Sequence, residues 1–332
     1  MSRRKRGGSR TLVALLLIVA AALIYFYRDR ISREFEPRPA PVPVAGQLTV
    51  RFLDIGQGDC ELIQLPSGQT IVIDSGDRGS PTVERLKGYG VSEIDLLIAT
   101  HPHADHIGEM RDIMRAFKVK EFWDAGVPHT TRTYLDVLEE RKAQGIKFVK
   151  PRRGDTREIG EARLEVLNPS KDLPDENLNN ASIVVKLTYG ETSFLFTGDA
   201  ELEAWKQMTE SVRGSLRADL LKSAHHGSSN GTTEQILDAV RPKFVTISCA
   251  AGNDYHHPHP RVVNLLKERS KSIQLFRTDL EGTITALSDG KKITVTSEQE
   301  VASNRLYLTG DEVAGRRSDS ASKRKAAGRG SD

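Results

Sequence analysis

Apolar and polar positions follow two textures along this 332-residue chain. The first is one unbroken run, TLVALLLIVAAALIYFY at residues 11–27, which carries no charge. At about 1.5 Å rise per residue it reaches the short end of the range for a membrane-spanning helix. The second texture begins at residue 48 with short β-rich runs, LTVRFLDI, CELIQL and TIVID. Their turns are Gly56-Gln57-Gly58-Asp59 and Pro66-Ser67-Gly68. The pattern then predicts helices at 83–89, 107–117 and 133–144, with strands at 95–99, 120–123 and 146–149. The second half opens the same way, with ARLEVL, SIVVKLTY and TSFLFTG as strands. Helices at 200–209, 233–240 and 261–270 follow, between strands at 220–224 and 244–249 and the runs IQLF, GTITAL and KITVT. Two β-rich openings, each followed by mixed α and β, predict one α/β domain over residues 48–298 in which helices cover two sheets.

Residues 28–47 carry Pro37, Pro39, Pro41 and Pro43 and read as an extended spacer. Residues 299–332 are polar, and rich in Ser, Arg, Lys and Gly from Gly315, the composition of a disordered tail. Arg3, Arg4, Lys5, Arg6 and Arg10, within the basic segment 1–10, precede the apolar run. They favour a cytoplasmic N-terminus, a single-pass signal-anchor at 11–27 and an extracytoplasmic body. A cleaved signal peptide is the rival, although Arg28-Asp29-Arg30 follows the run directly without a small-x-small cleavage site. The net charge of +3 sets up no general field for nucleic acid, because the basic residues concentrate at the two ends. The tail could touch nucleic acid or anionic lipid, with a plain solvated segment the simpler reading. Cys60 and Cys249 both sit in apolar runs, so two buried thiols and one disulfide stay equally open.

The chemistry concentrates in Thr100-His101-Pro102-His103-Ala104-Asp105-His106, directly after the apolar run IDLLIA. Imidazoles and a carboxylate at a strand end make a rigid metal-ligand set, where a lone histidine would read as merely solvated. Two metals can share this loop, His101 and His103 facing one, Asp105 and His106 the other. Asp74 stands just past TIVID, placed to orient a ligand histidine through its second nitrogen; alone it would read as an Asx-turn residue. Asp199 ends FLFTGD and has two oxygens with which to bridge two cations. His225 and His226 end LLKSAHH, His225 being the preferred ligand and His226 free to meet the substrate. His256, His257 and His259 follow the next strand and could close the site or stay solvated, whereas His129 reads as a surface residue.

Together these residues resemble the metallo-β-lactamase fold, a four-layer αββα sandwich. The His-x-His-x-Asp-His signature is met by His101, His103, Asp105 and His106, and Asp74, Asp199 and His225 follow in the expected order. Within that superfamily the chain is similar to the soluble ComEC-like (competence) metallo-β-lactamase domain. FLDIGQGDCELIQLPSG, THPHADHIGEM, NNASIVVKLTYGETSFLFTGD, LKSAHHGSS and NDYHHPHP carry that likeness over roughly residues 48–296. Two departures stand out. The superfamily's further histidine ligand before Asp199 is missing, and Asn179-Asn180-Ala181-Ser182 stands in its place, so an Asn180 oxygen or water would complete that site. The long multi-helix channel of ComEC is also absent from this sequence, so channel function is not carried over.

The resemblance implies a metal-dependent hydrolase using metal-activated water, with two zinc ions (manganese being the alternative) and a phosphoester or nucleic-acid substrate. His101 and His103 would bind one metal, Asp105, His106 and His225 the other, and Asp199 would bridge them. His257 and His226 would serve substrate oxygens, with Asp74 holding ligand geometry. This makes the expectation a membrane-anchored extracytoplasmic phosphodiesterase, phosphoesterase or nuclease. The rival from another class is a non-catalytic protein that binds DNA at the membrane during uptake, and a degenerate fold with a structural role is a third. The sequence names no protein partner.

Overall fold

The computed structural model describes residues 46–172 and 177–315. The basic N-terminus, the apolar run at 11–27, all but the end of the Pro-rich spacer and the tail beyond 315 lie outside the described residues. Among the described residues no helix is long and apolar enough to cross a membrane.

In chain order the first half contains β1 (Leu48–Phe52), β2 (Glu61–Gln64), β3 (Thr70–Ile73), α1 (Thr82–Gly88), β4 (Glu93–Ala99), α2 (Ala104–Ile107), α3 (Met110–Ala116), β5 (Lys118–Asp124), α4 (Arg132–Ala143) and β6 (Lys147–Val149). The second half contains β7 (Thr156–Ile159), β8 (Ala162–Asn168), β9 (Val184–Tyr189), β10 (Thr192–Phe196), α5 (Leu202–Val212), β11 (Leu220–Lys222), α6 (Glu234–Val240), β12 (Phe244–Ile247), α7 (Pro260–Glu268), β13 (Gln274–Arg277), α8 (Thr278–Glu281), β14 (Ile284–Ser288) and β15 (Ile293–Ser297). The strands form an eight-stranded sheet, β15-β14-β1-β2-β3-β4-β5-β6, and a seven-stranded sheet, β13-β12-β11-β10-β9-β8-β7.

Side-chain alternation along the strands sorts the apolar residues into layers. Val50, Phe52, Ile71, Ile73, Leu96 and Ile98 of the first sheet meet Leu164, Val185, Leu187, Phe194 and Phe196 of the second in a core between the sheets. The opposite face of the first sheet, with Leu62, Val72, Leu97 and Phe122, is covered by Leu86, Ile113, Met114 and Val137 of its helices. The opposite face of the second, with Leu195, Leu221, Val245 and Leu275, is covered by Trp205, Met208, Leu237, Val262 and Leu266. The expected αββα sandwich is therefore present.

Three local expectations change. The single helix at 107–117 is two, α2 and α3, broken around Gly108 and Glu109. Strand β7 escaped the reading because an edge strand with three exposed side chains shows no apolar run. The polar stretch after 298 is not disordered as far as Gly315. Leu308 and Val313 pack on Leu280, and the buried Arg277 guanidinium, held in a fork by Asp279, donates to the carbonyls of Leu306 and Leu308. A few apolar residues hidden in polar text find a cluster there, and backbone carbonyls satisfy a buried cation. Cys60 and Cys249 are separate buried thiols, which closes the disulfide alternative.

Candidate metal centre

Strands β3, β4 and β5 run parallel in one sheet, and β10 to β13 run parallel in the other. Asp74 follows β3, His101 to His106 follow β4, Asp199 follows β10, His225 and His226 follow β11, and residues 253–257 lie beyond β12. Apart from Asn180, which lies in the turn before β9, the expected site residues thus follow strand C-termini.

Asp74 is fully buried and accepts three hydrogen bonds. Oδ1 takes the Thr100 N–H at 2.8 Å, and Oδ2 takes the Thr100 hydroxyl at 2.7 Å and meets His106 Nδ1 at 2.7 Å. It thereby fixes His106 with Nε2 free, 3.3 Å from Asp199 and 3.9 Å from Asp105. His101 Nδ1 is held by the Thr100 hydroxyl at 3.1 Å, while His101 Nε2 and His103 Nδ1 face each other at 3.0 Å. Oδ2 of Asp199 lies 4.0 Å from His101 Nε2 and 3.3 Å from His106 Nε2, so it stands between the two histidine pairs.

The loops store backbone strain. Asp74, His225 and His226 have φ of 57°, 52° and 53°, in the left-handed region that side chains with a Cβ normally avoid. Close approach needs glycine: at Gly58 (φ 113°) a Cβ would collide with the Asp105 carbonyl, the same oxygen that accepts the Asp59 N–H at 3.2 Å.

Two preferences from the sequence are revised. Both His225 and His226 face Asp199, but His226 is the more buried and alone of the two also faces Asp105. Its side chain is 2% exposed, Nδ1 bonds the Ser248 carbonyl at 2.9 Å, and the otherwise unpartnered Nε2 lies 3.2 Å from Asp105 and 3.5 Å from Asp199. His225, 22% exposed, has Nδ1 3.2 Å from Glu201 and Nε2 3.6 Å from Asp199. Asn180 is not available as a substitute ligand, because its Oδ1 accepts the N–H groups of Glu201 and Ala204 at 3.2 Å each and caps α5. The neighbouring Asn179 lines the cavity instead. Its amide donates to Glu201 at 2.7 Å and its buried Oδ1 has no partner.

Sequence reasoning missed two buried charges. Asp59, read only as a turn residue, joins His106, Asp199 and His226 in one tight cluster of ligand-type atoms. Lys222, the last residue of β11, contacts Asp59 Oδ2, donates to the Gly198 carbonyl at 3.2 Å and lies 3.9 Å from Asp199 Oδ1. A lone lysine ending a buried parallel strand was the available signal. His129 is not remote either: it is half-buried, its ring centroid 6.5 Å from that of His103. His256 pairs with Asp311 and His259 accepts the Arg261 N–H, so of the three late histidines His257 alone lines the cavity.

The donor set fits divalent cations. The Nε2 atoms of His106 and His226 are buried without hydrogen-bond partners, and the two residues cluster tightly with carboxylates of Asp59 and Asp199 from separate loops. Such orphaned groups are costly unless a cation completes them. The electrostatics agree. Burial would depress His106 and His226, yet Asp199 with Asp74 and Asp105 around the first, and Asp199 with Asp59 around the second, raise both well above the usual range. A field that binds protons there also attracts divalent cations. Burial, then the His106 charge, lowers His101 and His103 into the neutral, ligating form. Burial, reinforced by His226 and His225, pushes His257 down to about 4. These groups open on a cavity of about 560 Å³ whose lining includes no Lys or Arg among the described residues.

Residues 53–251 match the model of the Metallo-beta-lactamase superfamily. The chain is similar to "ComE operon protein 3" of Bacillus subtilis, 33% identical over 254 residues that cover 71% of this chain and 32% of the relative. It is also similar to "Competence protein ComA" of Neisseria gonorrhoeae, 27% identical over 253 residues, 74% of this chain and 33% of the relative. The chain thus spans about a third of the length of these relatives. Among solved structures, the metallo-beta-lactamase fold protein YhfI from Bacillus subtilis aligns with a TM-score of 0.47 and 16% identity, covering 73% of this chain and 100% of that one. With the family model spanning both halves of the site, the chain belongs to the Metallo-beta-lactamase superfamily and is a metal-dependent hydrolase related to competence proteins.

Proposed function

We propose that this protein is a membrane-anchored, extracytoplasmic phosphodiesterase, with nucleic acid within its substrate range. The observation that carries the reading is the placement of Asp199 between the His101/His103 pair and the Asp105/His106/His226 group, lining an open cavity. Divalent cations held there, zinc or manganese, supply Lewis acidity toward phosphoryl oxygens and bring the pKa of bound water toward neutrality.

The chain's own residues do the rest. Asp74 fixes the His106 tautomer, and the Ser248 carbonyl fixes that of His226. Asp105 and Asp199 supply carboxylate oxygens at the centre. His257, neutral at physiological pH, lines the cavity with its Nδ1 unpartnered, where it can take or give a proton at a substrate oxygen. The aspartate, histidine and amide groups around the centre offer polar partners for the oxygens of a phosphodiester. The names of the competence relatives support nucleic acid as the diester.

The non-catalytic DNA-capture reading draws no support from this face, which presents histidines, aspartates and amides and no Lys or Arg. The charge-free run at 11–27 supports the anchor. Turnover of bis(p-nitrophenyl) phosphate with zinc or manganese, alongside a lactam and a thioester, tests the activity. His103→Ala and Asp199→Ala should each lower the diester rate at least a hundredfold, and equal rates in wild type and variants would sink the reading. Carbonate extraction of membranes tests the anchor: deletion of residues 11–27 should release a protein that otherwise stays with the membrane.

A further inference from the structure

Tyr255 is one of few large apolar side chains left exposed among the described residues, at 62%, and it lines the cavity over the metal centre. Its ring lies nearly parallel to the His257 imidazole, with centroids 5.8 Å apart and an interplanar angle of 21°. Asn253 braces the loop beneath through its side chain. The Asn253 amide donates to the carbonyls of Ala250 at 2.8 Å and His257 at 2.7 Å, and its Oδ1 accepts the N–H of Tyr255 at 3.2 Å and of His257 at 2.9 Å. An exposed ring gains little for stability, yet this one is displayed on a braced loop, nearly parallel to the ring of a cavity residue.

Gln57 lines the same cavity from the loop between β1 and β2. Its Oε1 accepts the Ala250 N–H at 3.2 Å, which orients the amide, while its buried Nε2 has no partner. A buried donor without an acceptor awaits one from a ligand. Because no Lys or Arg lines the cavity, neither guanidinium forks nor ammonium groups there hold a substrate backbone. Selective affinity beyond the metal centre therefore falls to the aromatic face and the free amide.

We propose that Tyr255 and Gln57 form a nucleobase subsite, the base stacking on Tyr255 and a base carbonyl or ring nitrogen accepting from Gln57 Nε2. Aromatic faces stack any base, so the subsite gives affinity with little sequence preference. A quaternary ammonium headgroup would also suit the Tyr255 face, but its only acceptors for Gln57 are phosphate oxygens, the groups the metal centre would hold. The inference deepens the phosphodiester reading and rests on it.

The test is equilibrium binding to the metal-loaded full chain, measured by titration calorimetry with thymidine 5′-monophosphate, 2-deoxyribose 5-phosphate and phosphocholine. The base-bearing ligand should bind about tenfold tighter than the base-free one, as one stacked base generally confers. Tyr255→Ala should erase that preference and leave 2-deoxyribose 5-phosphate unchanged. Tyr255→Phe should retain it, and Gln57→Leu should reduce it severalfold. Equal wild-type affinity for the two sugar phosphates, or a preference that survives Tyr255→Ala, overturns the subsite; tighter binding of phosphocholine overturns it in favour of a cationic headgroup. Absence of bis(p-nitrophenyl) phosphate turnover by the same protein would overturn the phosphodiesterase reading separately, because the binding comparison needs no turnover.

Discussion

The Lys222 ammonium and the Asp59 carboxylate form an ion pair at the metal-ligand cluster to which Asp59 belongs, with both side chains 1% exposed. Asp59 Oδ1 also lies 3.3 Å from His226 Nδ1, and Lys222 lies 3.9 Å from Asp199 Oδ1, whereas the histidines approach Oδ2. The lysine is thus a permanent cation built into an acidic site. Burial would lower Lys222, but Asp59, Asp199 and Glu61 raise it, so the charge persists. Removing one partner leaves an uncompensated buried charge. Lys222→Met should therefore cost about 3–5 kcal/mol of stability, and the double variant Lys222→Met/Asp59→Asn markedly less than the sum of the singles. Urea unfolding of all four proteins measures the coupling, and strict additivity would contradict it.

His225 and His226 are neighbours with different surroundings, and metal content should separate them. His226→Ala removes a buried nitrogen facing both Asp105 and Asp199. His225→Ala removes a partly exposed ring tied to Glu201, whose carboxyl is held down at about 2 chiefly by that histidine and by Asn179. Elemental analysis should show His226→Ala losing close to one metal equivalent while His225→Ala keeps its metal. The reverse pattern would restore His225 as the ligand.

Asn179 and Asn180 should likewise part. Asn179→Ala removes the unpartnered oxygen at the cavity and should weaken metal binding about tenfold, at the lower end of what lost supporting contacts cost metal sites. Asn180→Ala uncaps α5 and should cost about 1 kcal/mol of stability with metal affinity unchanged. Calorimetric titration of the metal-stripped proteins with manganese, paired with unfolding curves, distinguishes the two.

How much of this was legible in the sequence depended on how local each signal is. The run His101 to His106 gathers its ligands on one loop, and the apolar strands before it, Asp74 and Asp199 mark the ends that converge, so the layered sheets and half the site could be read. The choice between Asn179 and Asn180, or between His225 and His226, turns on one residue in a short turn. There the backbone direction is set by contacts from other loops, to Glu201 and Ser248, that no local pattern encodes. Lys222 and Asp59 stand 163 residues apart, and each alone reads as an ordinary strand end or turn. Residues 299–315 misled for a related reason: their few apolar side chains matter only because Leu280 and Arg277 offer a place for them.

Asp124 gives a stability effect away from the metal centre. It ends β5, is 2% exposed, and accepts the Gly126 N–H at 2.5 Å and the Tyr134 hydroxyl at 3.2 Å. Burial pushes its carboxyl up to about 6, against opposing help from those two hydrogen bonds. Because the folded state holds the proton more tightly than the unfolded chain, unfolding releases it between about pH 4 and pH 6. Stability from this group is therefore full below about pH 4, declines as pH rises through about 6, and is about 2–3 kcal/mol lower at neutral pH. Asn at this position keeps an oxygen for both donors and carries no charge. Asp124→Asn should therefore flatten the decline in urea midpoint between pH 4.5 and pH 7 and be the more stable protein at pH 7. Parallel pH profiles for wild type and variant would place the charged carboxylate in a better solvated position than its burial indicates.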